Sequence, residues 1–207
     1  MIVVGIGGAS GSGKTRVACE LAAALRGSLV LSTDSYYLDQ SGLDWAELAA
    51  FNFDDPGALD WKLMAAHLVD LKAGSGVGVP RYNFATHSRF AAPEWTAPAE
   101  ILILEGLFAL WEPRVRELVD LAVFLDAPLE LCLARRIERD TSERDRTEKS
   151  VREQWRRDVA PMFVRHVLPT REFADMVVDG TAPPDRSAEA VLARLRRLRD
   201  PGQAGCR

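Results

Sequence analysis

Two kinds of apolar pattern alternate along the chain. Residues 2–6, Ile-Val-Val-Gly-Ile, place apolar side chains at successive positions, as in a parallel strand covered on both faces. Residues 14–26 space Val17, Leu21, Ala24 and Leu25 at helical intervals, and Gly27 stands where a helix-ending glycine belongs. Strand-like runs recur at 28–32, 100–105, 119–125 and 174–178. Helical runs are predicted at 59–73 (Leu59, Leu63, Ala66 and Leu71, ended by Gly74, Gly76 and Gly78), 129–140, 147–160, 161–168 and 187–198. In the helix opened by Pro128, Leu129, Leu133, Ala134 and Ile137 cover one side, and Arg135, Arg136 and Arg139 the other. Residues 38–58 carry Gly42, Asn52, Pro56 and Gly57 and predict no regular element. Tyr82 and Phe84 alternate, which predicts a strand with both rings on one face. Strand alternating with helix predicts an α/β fold, three layers around a central parallel sheet. A small β-element (79–95) and an arginine-rich lid (139–160) project from it. The 207 residues suit one domain, 1–199, followed by a Pro/Gly-containing tail, 200–207, expected to fray.

Between the first strand and the first helix lies Gly8-Ala9-Ser10-Gly11-Ser12-Gly13-Lys14-Thr15, which spells G-x-x-x-x-G-K-[ST]. Glycines let the backbone curl so that successive N–H groups point at phosphate oxygens. The following helix turns its positive end to the same anion. Lys14 can reach the β- and γ-phosphates of ATP or GTP, and the Thr15 hydroxyl can ligate Mg²⁺. A plain Gly/Ser linker is the alternative, and the flanking strand and helix argue against it.

Two carboxylates stand at strand ends, where open parallel sheets bind ligands. Asp34 reads equally well as a general base (or an Mg²⁺-side group through water) and as a turn or helix cap. Glu105 suits the metal side better than a solvent-facing strand end. Tyr82 and Phe84 read as core and His87 as a loop residue, on the habits of lone residues of these types. Arg135, Arg136, Arg139, Arg144 and Arg146 fall within twelve positions and suggest a clamp on transferring phosphate.

Bulk composition narrows the setting. A net charge of −4 argues against general nucleic-acid affinity. Cys19, Cys132 and Cys206 lack metal-type spacing, and the reading is a reducing cytoplasmic setting without disulfides. No apolar run reaches a membrane span, and no basic leader precedes the first strand. An apolar content of 47% suffices for a continuous core.

Taken together, GGASGSGKT (7–15), TDSYY (33–37), NFDDPGALD (52–60), PRYNFATHSR (80–89), ILILEGLFAL (101–110), LARRIERDTSERDR (133–146), EQW (153–155) and PTREFADMVV (169–178) resemble the uridine kinases, relatives of phosphoribulokinase. The resemblance implies phosphoryl transfer from ATP or GTP to the 5′-hydroxyl of uridine or cytidine, with Mg²⁺. It makes Asp34 the base, and Thr15 and Glu105 the metal side. Asp54 would hold the ribose hydroxyls with Arg136 beside it. Tyr82, Phe84 and His87 would line the pyrimidine pocket, with Gln154 nearby. Arg139, Arg144 and Arg146 would be lid arginines. Homo-oligomers, often tetramers, are implied as well. The chain departs from the family at Asp145, where E-R-G-R is usual, and a glycine of positive φ is tolerably replaced by Asp. It departs also at Asp55 and Gly57, Asn83 and Trp155. Two alternatives stay open: a kinase of another small hydroxyl acceptor (a sugar phosphate, pantothenate or nicotinamide riboside), and a non-catalytic nucleotide-binding regulator.

Overall fold

The computed structural model describes residues 1–199. The expected tail, 200–207, and with it Cys206, lies outside the described residues. Five parallel strands form the central sheet: β1 (Ile2–Gly8), β2 (Ser28–Ser32), β7 (Ile101–Glu105), β8 (Leu121–Asp126) and β9 (Met176–Asp179), in the order β2-β7-β1-β8-β9. Successive side chains point to opposite faces, so each strand feeds two cores. Val3, Leu102, Leu104 and Phe124 join Met64, Leu68, Leu71, Phe163 and Val167 on one face. Val4, Ile6, Ile103, Val123 and Leu125 join Val17, Leu21, Ala188, Val191 and Leu195 on the other. Burial on both sides is why these strands read as unbroken apolar runs.

Helix α1 (Lys14–Ala24) and the C-terminal α8 (Pro184–Arg199) cover the second face. Helix α3 (Trp61–Lys72), capped by Asp60 Oδ1 on the Leu63 N–H at 3.1 Å, covers the first. Its buried stripe is Met64, Leu68 and Leu71. Leu59 precedes the helix and Ala66 is exposed, which corrects the predicted stripe. Gly78 belongs to a strand and not to the helix end.

Residues 38–58 are more regular than their glycine and proline punctuation suggests. Helix α2 (Trp45–Ala50) is fixed by a reciprocal cap: Asp44 Oδ1 accepts from the Ala46 and Glu47 N–H groups, and Glu47 Oε2 accepts from the Asp44 N–H at 2.9 Å. The predicted β-element is two antiparallel ribbons: β3 (Val77–Val79) with β6 (Glu94–Thr96), and β4 (Tyr82–Asn83) with β5 (Ser88–Arg89).

The short helix α4 (Pro113–Arg116) follows β7, and the fifteen-residue α5 (Leu129–Glu143) follows β8. The fully covered side of α5 is Cys132, Arg136 and Asp140, and Ala134 is exposed. The apolar-side expectation is therefore only partly right: α5 turns a polar stripe inward because it faces a binding cleft. Helix α6 (Glu148–Gln154) runs on through a wide turn, Trp155–Val159, and α7 (Ala160–Met162) to a second wide turn, Phe163–Val167. The predicted break near residue 160 is absent. Pro161 has no N–H to give the Arg157 carbonyl, and the chain adjusts by i→i+5 bonding rather than by stopping, as in the Ala160 N–H bond to Trp155 O.

Candidate active site

Strand register assembles the centre. Ser32, Glu105 and Ile6 sit side by side on β2, β7 and β1. The segments just beyond them are therefore neighbours: the glycine loop, the 3₁₀ turn Thr33–Tyr36 and the Gly106 turn. Gly11 has φ +83°, and a Cβ there would overlap the Cys132 carbonyl, so only glycine fits. Gly13 (φ +103°) precedes α1 without any side-chain cap. The first N–H groups of α1 are thus left for an anion. Ser12 Oγ is buried without a partner, a second polar atom aimed into the same loop. Lys14 is buried, and its Nζ donates to Ala9 O at 2.7 Å. Burial pulls its pKa below the usual lysine value, while Glu105 and Asp34 push it back.

Both strand-end carboxylates resolve their alternatives. Ser32 Oγ caps the turn by accepting from the Asp34 N–H at 3.3 Å, so Asp34 is not the cap. Burial, then the neighbouring Glu105, raise the Asp34 carboxyl above its ordinary range; Lys14, Arg144 and Arg139 lower it in part. Glu105 is only 5% exposed and accepts from Thr15 Oγ1 at 3.2 Å, so it is no solvent-facing charge. Among the described residues no three His, Cys, Asp or Glu side chains form a ready-made metal cage. A hydroxyl beside one or two carboxylates fits Mg²⁺, which keeps waters and substrate oxygens as its other ligands.

The residues expected to hold the acceptor lie beside the glycine loop, joined to it through Arg136. Asp54 and Arg136 are both buried and form an ion pair at 3.6 Å. Burial raises the Asp54 carboxyl, and Arg136 opposes that rise. Arg136 also donates to Ser10 Oγ at 2.9 Å and to Gln154 Oε1 at 3.1 Å. Arg146 shares the same Gln154 oxygen at 2.6 Å. Gln154 is therefore a bridge between two arginines.

Beside them the aromatic residues converge. Tyr82 and Phe84 lie edge to face at 5.2 Å and both meet Tyr37, although the strand predicted to carry both rings ends at Asn83 and leaves Phe84 in the turn. Phe84 is 43% exposed, which rules out the core reading for it, whereas Tyr82 is buried in the core cluster as expected; the His87 ring stacks on Phe53 at 4.4 Å and 20°. His87 Nδ1 and the Tyr82 hydroxyl are buried and unpartnered, so polar atoms wait in an apolar wall. Burial, then Arg146, lower the His87 pKa and favour the neutral ring. Burial also pushes the Tyr82 hydroxyl up to about 12.

Among the arginines, Arg139, Arg144 and Arg146 gather as predicted, with Arg144 lying 5.2 Å over the Phe84 ring. Arg135 does not join them. It donates to Gly180 O at 2.8 Å and Ser12 O at 3.3 Å, and so ties the glycine loop to the end of β9. Asp145 adopts φ +52°, the left-handed conformation expected at that lid position. Sequence reading missed three participants. Phe53 and Tyr37 were within quoted motifs but carried no pocket signal. Asp140 had one: it lies four residues from both Arg136 and Arg144, hence on their helix face.

Comparison with known proteins identifies the family. The family model described as "Phosphoribulokinase / Uridine kinase family" matches residues 3–185. A uridine kinase from Shewanella denitrificans is 40% identical over 203 residues, covering 95% of this chain and 96% of that one. One from Aliivibrio salmonicida is 39% identical, covering 95% and 94%. The solved phosphoribulokinase from Rhodobacter spheroides superposes with a TM-score of 0.62 at 14% identity, over 89% of this chain and 73% of that one, and shares the fold. With its glycine loop, its two strand-end carboxylates and a match over nearly its whole described length, the chain belongs to the phosphoribulokinase/uridine kinase family.

Proposed function

We propose that the protein is a nucleoside kinase that transfers the γ-phosphoryl group of ATP or GTP to the 5′-hydroxyl of uridine or cytidine. One contact carries the reading. Arg136 touches Ser10 of the phosphate loop and Asp54 of the acceptor pocket at once, which joins donor and acceptor sides in one cleft.

In this reading the loop N–H groups, the open start of α1 and Lys14 hold the donor's phosphates. Asp54 accepts from the ribose hydroxyls. The base lies between Tyr82, Phe84 and the Phe53–His87 stack, where neutral His87 Nδ1 and the Tyr82 hydroxyl can pair with its polar edge. Asp34 takes the proton from the 5′-hydroxyl. The 5′-oxygen bonds to the γ-phosphorus as the bond to the β–γ bridging oxygen breaks, and ADP or GDP leaves. Arg139, Arg144 and Arg146 face the charge that spreads over the γ-oxygens. Thr15 and Glu105, with Asp34 nearby, would hold Mg²⁺, which when bound neutralises the β- and γ-oxygens. The lid excludes water, so the phosphoryl group meets the hydroxyl and not solvent.

Coupled ADP release with Mg·ATP tests this against uridine, cytidine, adenosine, nicotinamide riboside, pantothenate and ribulose 5-phosphate. Turnover confined to uridine and cytidine is the expected result. Turnover with another acceptor would replace the substrate assignment and keep the Asp34 chemistry.

A further inference from the structure

Asp140 is fully buried, and its partners are four arginines of the 136–146 segment, one of which, Arg136, also reaches Asp54 and Ser10. Arg139 holds Oδ1 with two N–H groups, Nε at 2.9 Å and a terminal nitrogen at 2.8 Å. Arg144 stands 3.6 Å from Oδ1, and Arg146 and Arg136 stand 3.5 Å from Oδ2. A carboxylate that served folding alone would be satisfied by one bidentate arginine. Here four guanidinium groups crowd one carboxylate, with Asp54 as the further anion on Arg136. The cluster keeps more positive charge than its carboxylates neutralise, and like charges so close repel unless an anion joins them. Arg146 is tied to Gln154 and Ser150, but among the described residues Arg144 has only its 3.6 Å approach to Asp140 and its place over Phe84, which leaves its N–H groups free to turn toward one. Arg144 lies 5.2 Å over the Phe84 ring, so the surplus reaches the aromatic wall of the cleft.

We propose that Asp140 is a positioning residue: one buried carboxylate that holds acceptor-side Arg136 and lid-side Arg139, Arg144 and Arg146 together, so that filling either half of the cleft orders the other. It touches neither substrate and acts through the arginines. The proposal rests on the kinase reading above.

The test is Asp140→Asn, which keeps shape and removes charge, alone and combined with Arg139→Gln, with Asp140→Glu as the charge-retaining variant. For Asp140→Asn, kcat is expected to fall 30-fold or more and the uridine KM to rise about tenfold. ADP binding should change less than threefold, because the glycine loop is untouched. Adding Arg139→Gln should cost little beyond Asp140→Asn alone, since both remove the same arrangement. Asp140→Glu should recover part of kcat. The proposal is overturned by kcat within threefold of the parent, by fully additive losses in the double variant, or by ADP binding and melting temperature falling together with kcat in both Asp140 variants. Absence of uridine turnover in the parent protein would count against the kinase reading instead; the same ratios are then read from acceptor-free ATP hydrolysis, where an unchanged rate in Asp140→Asn overturns the proposal.

Discussion

Thr15 Oγ1 donates to Glu105 Oε2 at 3.2 Å, a contact between residues 90 positions apart. It links the end of the glycine loop to the end of β7 and puts a hydroxyl and a carboxylate side by side, where we propose that the metal binds. Glu105→Gln should raise the Mg²⁺ concentration for half-maximal activity by about tenfold, in line with loss of one outer or direct ligand contact. Nucleotide binding without Mg²⁺ should barely change. A magnesium titration of initial rates checks this, and an unaltered half-saturation point would remove Glu105 from the metal side.

Asp34 is the one carboxylate free of capping duty at the acceptor-facing turn. Replacing it with Asn should cut kcat by ~10²-fold or more, the usual cost of losing a general base, and leave ADP affinity nearly intact. Rates and ADP titration calorimetry on the same preparation separate the two effects. Turnover equal to the parent's would reassign the base.

The pH profile carries a signed expectation. Burial and Glu105 raise the Asp34 carboxyl, so the base is lost as pH falls through a pKa above the ordinary carboxylate range. Arg144 holds that pKa down. Arg144→Gln should therefore move the acid limb of kcat/KM to higher pH, besides lowering the plateau. Movement toward lower pH would contradict the charge arrangement around Asp34.

Asp145 bends the lid at φ +52° between Arg144 and Arg146. Its backbone strain costs on the order of 1 kcal/mol relative to glycine, and its carboxylate adds negative charge beside phosphate-facing arginines. Asp145→Gly should lower the ATP KM several-fold without loss of melting temperature. Unchanged KM at varied salt would show that this charge does not reach the phosphates.

His87 presents an unpartnered, buried Nδ1 while its ring stacks on Phe53. His87→Phe keeps the stack and removes the polar atom. One lost hydrogen bond of ~1–1.5 kcal/mol corresponds to about a tenfold rise in uridine KM. The ATP KM should stay constant. Steady-state kinetics with each substrate varied in turn gives both numbers.

Much of the fold was legible, for reasons particular residues make plain. Strands β1, β7 and β8 are buried on both faces, so their apolar runs needed no tertiary information. The glycine loop announced itself because its φ angles demand glycine. Helix α2 went unread because loop signals at Gly42 and Asn52 outweighed the Asp44/Glu47 cap, although that cap was visible in the sequence. Helix α5 is only partly legible: Leu129 and Leu133 pack on the core as their periodicity predicts, but periodicity marks apolar stripes and its fully buried stripe contains Arg136 and Asp140. Pro161 looked like a break, and only the backbone reveals how a wide turn absorbs it. Phe53 and Tyr37 depend on contacts between distant segments, which no local pattern encodes, whereas Asp140 carried a local one in its spacing of four from Arg136 and Arg144.

The central claim concerns where the phosphoryl group goes. The most direct measurement is ³¹P NMR of the product formed from Mg·ATP and uridine. A new monoester resonance coupled to the two 5′ protons, in step with ADP formation, is the predicted result. Phosphate on another hydroxyl, or free phosphate released without any ester, would contradict the account.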